Sequence, residues 1–155
     1  MTQVLYGDRL GKEGQLRFGC SAVIFNETRT KALLTRRTDN GLWCIPGGGM
    51  EAGESAAEAC IREVWEETGL SVRVKRLIGV YSNPNQLVVY SDGNKVHIVV
   101  MSFEVEVVDG TLGLSNETTE AGFFSVKDME TMPMHGKHKE RVEDALLNLA
   151  EALIK

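Results

Sequence analysis

The chain is poor in the residues that hold small secreted proteins together, with three cysteines and three prolines in 155 residues. Cys20, Cys44 and Cys60 are odd in number and fit no metal-ligand spacing. That argues against a disulfide framework or a thiolate metal centre, and three reduced thiols in a reducing compartment are expected. No apolar run is long enough to cross a bilayer, and Asp8 and Arg9 stand where a signal peptide would need its apolar core, so a cytoplasmic protein without a membrane partner is expected. Lys and Arg number 17 against 22 acidic residues, a formal net charge of −5. With no basic cluster, the chain lacks the phosphate-neutralising surface that binding to DNA or RNA requires. Repeats and low-complexity segments are also missing. The length suits one domain over residues 1–155, able to bury most of its apolar surface.

What the chain does have is a patterned stretch from Gly48 to Leu70, GGMEAGESAAEACIREVWEETGL. Ser55 to Thr68 reads as a helix, being alanine-rich, with a serine and acids in its first turn and Gly69 as its stop. At roughly 100° per residue, Glu63, Glu66 and Glu67 share one face. Val64, Ala57, Cys60, Ile61 and Trp65 take the opposite arc, so that side is expected to bury against a sheet while the carboxylates point outward. On the carboxylate face Ala56 and Ala59 are small, which leaves room for a bulky ligand. Like charges at i, i+3 and i+4 repel, and something must offset that. Hard oxygen ligands of this kind suit Mg²⁺ or Mn²⁺, which bind through carboxylates together with phosphate oxygens. Just upstream, Trp43 to Gly49 is an apolar run ending in Gly47, Gly48 and Gly49, which lets the backbone approach a ligand without a Cβ in the way.

Written as GX5EX7REUXEEXGU, with U apolar, the stretch is filled by Gly48, Glu54, Arg62, Glu63, Val64, Glu66, Glu67, Gly69 and Leu70. A chance match of this length is on the order of 10⁻⁸ at ordinary residue usage. The pattern resembles the signature box of the Nudix hydrolases. The resemblance implies an α/β (α+β) fold with a mixed β-sheet sandwiched between helices, and metal-dependent hydrolysis, by water, of a diphosphate linkage in a nucleoside diphosphate joined to another moiety. It implies Gly47, through its carbonyl, Glu63 and Glu67 as metal ligands, Glu66 as ligand or base, Arg62 as the residue that orients the glutamates, and Glu54 as support from the helix start. Relatives often add a carboxylate from a later loop; Glu117 and Glu120 are the candidates. The partner expected is a small nucleotide-derived molecule, and a homodimer is compatible with the sequence.

Further along, strands are expected over Phe18 to Phe25, Lys31 to Arg36, Val72 to Ser82, Leu87 to Tyr90, Val96 to Val108 and Phe123 to Val126. Turns are expected at Asn26 to Thr30, Asp39 to Gly41, Asp92 to Asn94 and Asp109-Gly110. Lys137 to Ile154 places Val142, Ala145, Leu146, Leu149 and Leu153 at helical spacing, predicting one helix packed on the sheet. Tyr81 and Tyr90 are candidates to stack on a base and Arg36 and Arg37 to reach phosphate, although Arg36 and Arg37 point to alternate faces of a strand. Trp43 and His97 read as structural, and His135 and His138 as solvated or capping. GVYSNP at Gly79 to Pro84, VYSDGNKVHIV at Val89 to Val99 and ExxExxFF ending at Phe124 are similar to a bacterial subgroup labelled ADP-ribose pyrophosphatase or MutT-like. Pyrophosphohydrolysis of oxidised nucleoside triphosphates is the enzymatic alternative. A nucleotide-sensing domain without catalysis is the alternative of another class, and such domains commonly lose box glutamates that this chain keeps.

Overall fold

The computed structural model describes residues 2–155. Its elements, in chain order, are β1 Gln3–Tyr6, a 3-10 turn at Leu10–Glu13, β2 Gln15–Ile24, β3 Ala32–Arg37, β4 Trp43–Cys44, β5 Gly47–Gly49, α1 Ala56–Thr68, β6 Leu70–Tyr81, β7 Gln86–Val89, β8 Lys95–Gly110, β9 Thr118–Phe124, α2 Val126–Met129, α3 His138–Leu146 and β10 Leu153–Ile154. The long strand β8 is the spine. One edge runs parallel to β2, and the other pairs first with β7 and then with β6. β5 lies outside β2, β1 outside β7 and β10 outside β6, while β4, β3 and β9 form a separate three-stranded sheet. Strand alternation along β2 sends Cys20, Ala22 and Ile24 to the side of α1, where they pack with Ala59, Cys60 and Val64. Val23 faces the other way, into a second core with Trp43, Ile45, Val142 and Ala145. The expected mixed sheet between helices is what forms.

Helix α1 begins where the sequence said it should. The Ser55 hydroxyl accepts a hydrogen bond from the Glu58 amide and the Glu58 carboxylate accepts one from the Ser55 amide, a complete capping box, and Gly69 ends the helix at φ 75°. Its buried arc differs from the expectation. Ala59, Cys60, Val64 and Thr68 are buried, whereas Ile61 and Trp65 are exposed. The sheet-facing arc is therefore turned toward the glutamates, and Ala59 is core rather than clearance for a ligand.

Three boundaries are also corrected. Asp109-Gly110 is not a turn between strands: both residues stay in β8, paired with Ser71 and Leu70. Val126 opens α2 because Ser125 and Asp128 form a second capping box, ending the strand at Phe124. Helix α3 stops at Leu146 instead of reaching Ile154. Arg29 and Arg76 each donate a 2.8 Å hydrogen bond to the Ala145 carbonyl, Asn148 turns to φ 50°, and the tail returns as β10, parallel to β6. Leu146 and Leu149 are consequently exposed. β1, which covers β7, carried no clear strand pattern in the sequence.

The same two arginines meet Glu104 on β8. Its buried carboxylate lies 2.6 Å from Arg29, 3.3 Å from Arg76 and 3.5 Å from Lys75. A carboxylate out of water among partly exposed cations is stable only while they stay paired. Glu104→Gln is expected to lower stability by about 2 kcal/mol or more in urea unfolding, because it leaves the guanidinium groups without their counter-charge.

Candidate active site

The site is built where β5 forms the edge of the sheet. Ala22 and Met50 donate to Pro46 and Phe18 across this antiparallel pair, at 2.8 and 3.0 Å. In the alternating antiparallel pattern those are the hydrogen-bonded positions, so Gly47 and Gly49, two residues apart and out of step with them, turn their N–H and C=O groups away from β2. Both are met there by α1. The Gly47 amide points at the Glu67 carboxylate, 3.4 Å away, and the Gly49 carbonyl accepts from Arg62 at 3.0 Å. Gly48 lies against Glu63, and a Cβ on it would collide with that carboxylate. The glycines expected to admit a ligand first of all admit the glutamates.

Arg62 organises the acids. It grips Glu54 with two bonds of 2.7 and 3.0 Å and donates to Glu63 at 2.9 Å and Glu66 at 3.2 Å. This grip holds the Glu54 carboxyl below its ordinary range. Glu54 also accepts from the Glu51 amide at 2.7 Å, which ties the loop before α1 to the helix. Glu67 lies outside the grip of Arg62. Burial, with Glu63 and Glu117 as like-charged neighbours, pushes its carboxyl up to about 8, and burial raises Glu63 as well.

This donor set fits a hard divalent cation. Gly47 has its carbonyl turned outward, Glu63 and Glu67 are carboxylates held partly out of water, and among the described residues Glu67 forms no salt bridge. Glu66 is half exposed and leans back on Arg62. Among the described residues no three acidic, histidine or cysteine side chains already converge on one point, so closing around an ion requires the carboxylates to turn inward.

Beside this edge opens a cavity of 660 Å³, lined by Gly47 to Gly49 and Glu67 together with His135, His138 and Arg141. Of the residues expected to bind substrate, Arg37 and Tyr90 line it, Arg37 held by two 2.8 Å bonds to Asp39. Arg36 does not: it bonds to the Gly41 carbonyl and to Glu120, and rests by the Trp43 ring. Tyr81 is buried with its hydroxyl donated to Asp144 at 2.8 Å, facing a smaller neighbouring cavity. Of the two loop acids, Glu117 is close enough to act on Glu63 and Glu67, while Glu120 pairs with Arg36 at 2.8 Å. Gly69 acts at a distance, as the stop of α1.

His135 and His138 are not solvated caps. Burial holds His135 down at about 4 and His138 well below its ordinary value, so both rings are neutral at pH 7. Arg141 was not singled out in the sequence. The signal was there, since on a helical wheel it lies about 40° from Ala145 and 60° from His138, inside the arc that should be apolar.

Two outcomes follow for the metal-free protein. A carboxyl whose folded value is raised stabilises the fold through its proton, fully below the unfolded value and not at all above the folded one. Stability measured with a chelator present is expected to decline from about pH 4.5 to about 8 as Glu67 ionises, and Glu67→Gln to flatten that decline. Gly48→Ala, which displaces Glu63, is expected to weaken Mg²⁺ binding at least tenfold in calorimetry while changing the melting temperature little.

The NUDIX domain family matches residues 15–146. An ADP-ribose pyrophosphatase of Methanocaldococcus jannaschii is 34% identical over 76% of the chain and 67% of its own length. A MutT-like protein of Streptomyces ambofaciens is 48% identical over 61% of the chain, the match spanning 55% of that relative. Among solved structures, an ADP-ribose pyrophosphatase of Streptococcus suis superposes with a TM-score of 0.69 at 25% identity, covering 89% of this chain and 96% of the other. With its signature box intact on the strand, loop and helix that carry the site, the chain belongs to the Nudix family.

Proposed function

We propose that the protein hydrolyses a diphosphate linkage in a nucleoside diphosphate joined to a further group, with ADP-ribose or a related nucleotide derivative as substrate and Mg²⁺ or Mn²⁺ as cofactor. The observation that carries this reading is the partly buried pair Glu63 and Glu67 set against the outward-turned backbone of Gly47, beside a cavity of nucleotide size. Gly47, Glu63 and Glu67 would hold the cation, with Glu66 as a further ligand or as base. When bound, it supplies charge neutralisation on the diphosphate and an acidified water.

The chain's own groups supply the rest. Arg62 fixes Glu63 and Glu66 in one orientation and joins them, through Glu54 and the Gly49 carbonyl, to the loop before α1. The bare backbone of Gly48 and Gly49 lets phosphate oxygens approach where a side chain would obstruct them. The charge of Glu117 acting on Glu63 and Glu67, together with the pairing of Glu120 to Arg36, supports Glu117 as the loop carboxylate that accepts the proton of an attacking water. Tyr90 and Arg37 border the space where nucleoside and phosphate would lie.

The relatives' names favour ADP-ribose first and MutT-type nucleoside triphosphate cleavage second. A phosphate-release screen with Mg²⁺ or Mn²⁺ across ADP-ribose, nucleotide sugars, dinucleoside polyphosphates and ordinary and oxidised nucleoside triphosphates separates them. Turnover of ADP-ribose at the highest kcat/KM is the expected result. A preference for oxidised triphosphates would select the second reading, and binding without turnover of any member would select a sensor. Glu67→Gln is expected to fold and to lose at least 10³-fold in turnover at saturating Mg²⁺. Glu117→Gln is expected to shift the rate-pH profile that Glu120→Gln leaves unchanged.

A further inference from the structure

Arg141 projects from α3 between the two cavities, and it is 92% buried, with a relative exposure of 8%. Among the described residues no carboxylate oxygen comes within 4 Å of its guanidinium; the acids nearby are committed elsewhere, Asp144 to Tyr81 and Lys155, and Glu140 to Lys155. The Arg141 Nε is buried without a partner, and the guanidinium lies over the Tyr81 ring, 5.3 Å from its centre. A desolvated guanidinium without a counter-charge is costly, and ring and hydroxyl contacts offset only part of that cost.

The neighbouring histidine sharpens the point. His138 Nδ1 accepts a hydrogen bond from the Ile45 amide at 3.1 Å, so in the neutral ring the proton resides on Nε2. That Nε2 lies 3.4 Å from Arg141 Nη1. Both atoms are then donors, and two donors at this distance make no bond with each other; they converge on a position that calls for a shared acceptor. The Ser21 hydroxyl, which donates to Ser102 at 2.9 Å, accepts from Nη1 at 3.4 Å, a long bond to a neutral oxygen that leaves the guanidinium without a counter-charge. Lys137 adds another cation at the lining of both cavities.

We propose that Arg141 and His138 form an oxyanion subsite in the cavity, filled by a phosphate group of the substrate. The proposal rests on the reading of the cavity as a nucleotide site and assigns its positive end. Ser21, which Arg141 touches, is paired across the sheet with Gly47. The subsite thus lies next to the edge that carries the glutamates, its guanidinium 3.4 Å from the hydroxyl of a residue that is itself one strand spacing, roughly 5 Å, from Gly47. Within that reach the bound phosphate is either the far phosphate of the scissile diphosphate or a separate phosphate on the group beyond it.

The test needs neither turnover nor metal, so it can fail or succeed independently of the hydrolase reading. Calorimetric titrations in chelator would compare pyrophosphate and ribose 5-phosphate as probes on the parent, Arg141→Met and Glu67→Gln. The expected result is at least a tenfold weaker Kd for Arg141→Met with at least one probe, and no such loss for Glu67→Gln. Dependence on Arg141 for pyrophosphate alone assigns the subsite to the scissile diphosphate; dependence for ribose 5-phosphate as well assigns it to the group beyond. Unchanged affinity for both probes overturns the subsite. Arg141→Met should melt no lower than the parent, since it replaces an unpaired buried charge by an apolar chain of similar length. Independently of any variant, either probe should shift the His138 ring resonances of the parent in NMR, and an unmoved ring with both also overturns the proposal.

Discussion

A single guanidinium makes the acidic end of this molecule possible. Glu54, Glu63 and Glu66 come together from a loop and two turns of a helix, and their mutual repulsion is offset by the fork of Arg62, which also takes the Gly49 carbonyl. Five donors in a fixed plane satisfy four acceptors in different directions, which a lysine ammonium on a flexible stem cannot do. Because the fork spans both segments, the loop after β5 cannot move without the helix. Glu67 is the one box glutamate at the edge that the fork does not reach, and there a proton or a cation has to supply the missing charge.

The box was legible because its chemistry is local. A helix cap, a stop glycine and carboxylates at fixed spacing are read within a few residues, and Ser55, Glu58 and Gly69 did what the sequence implied. Which way α1 faces was not local. Periodicity assigned Ile61 and Trp65 to the core, but the strand to be covered carries Cys20, Ala22 and Ile24, and the glycine edge beside it takes Glu63 and Glu67. The end of α3 was hidden for a similar reason. Leu149 and Leu153 continue a helical pattern, yet the helix is ended by Arg29 and Arg76, more than 60 residues away in sequence. The engagement of Glu120 by Arg36 was likewise hidden, since it depends on the pairing of β3 with β9, which sets the two residues opposite each other.

The two helices give the cavity groups of opposite character. α1 brings the Glu67 carboxylate to its lining, and α3 with the segment before it brings Arg141, His138 and His135. A substrate rich in phosphate and accompanied by a divalent cation is suited to that polarity, with metal and anion lying in the order the walls impose. Burial beside Arg141 keeps the His138 imidazole neutral, so it offers an N–H donor without adding a second charge there.

The anchoring of α3 at the Ala145 carbonyl has a consequence for how this chain can vary. Arg141 is one helical turn before the carbonyl that Arg29 and Arg76 hold, and those arginines are in turn held by Glu104 in the central strand. Distance along the helix is thereby converted into direction. One residue inserted between Arg141 and Ala145 would rotate the guanidinium by about 100° relative to the anchored end, carrying it out of the cavity although every residue remained present. This nine-residue helix is therefore intolerant of insertions and deletions.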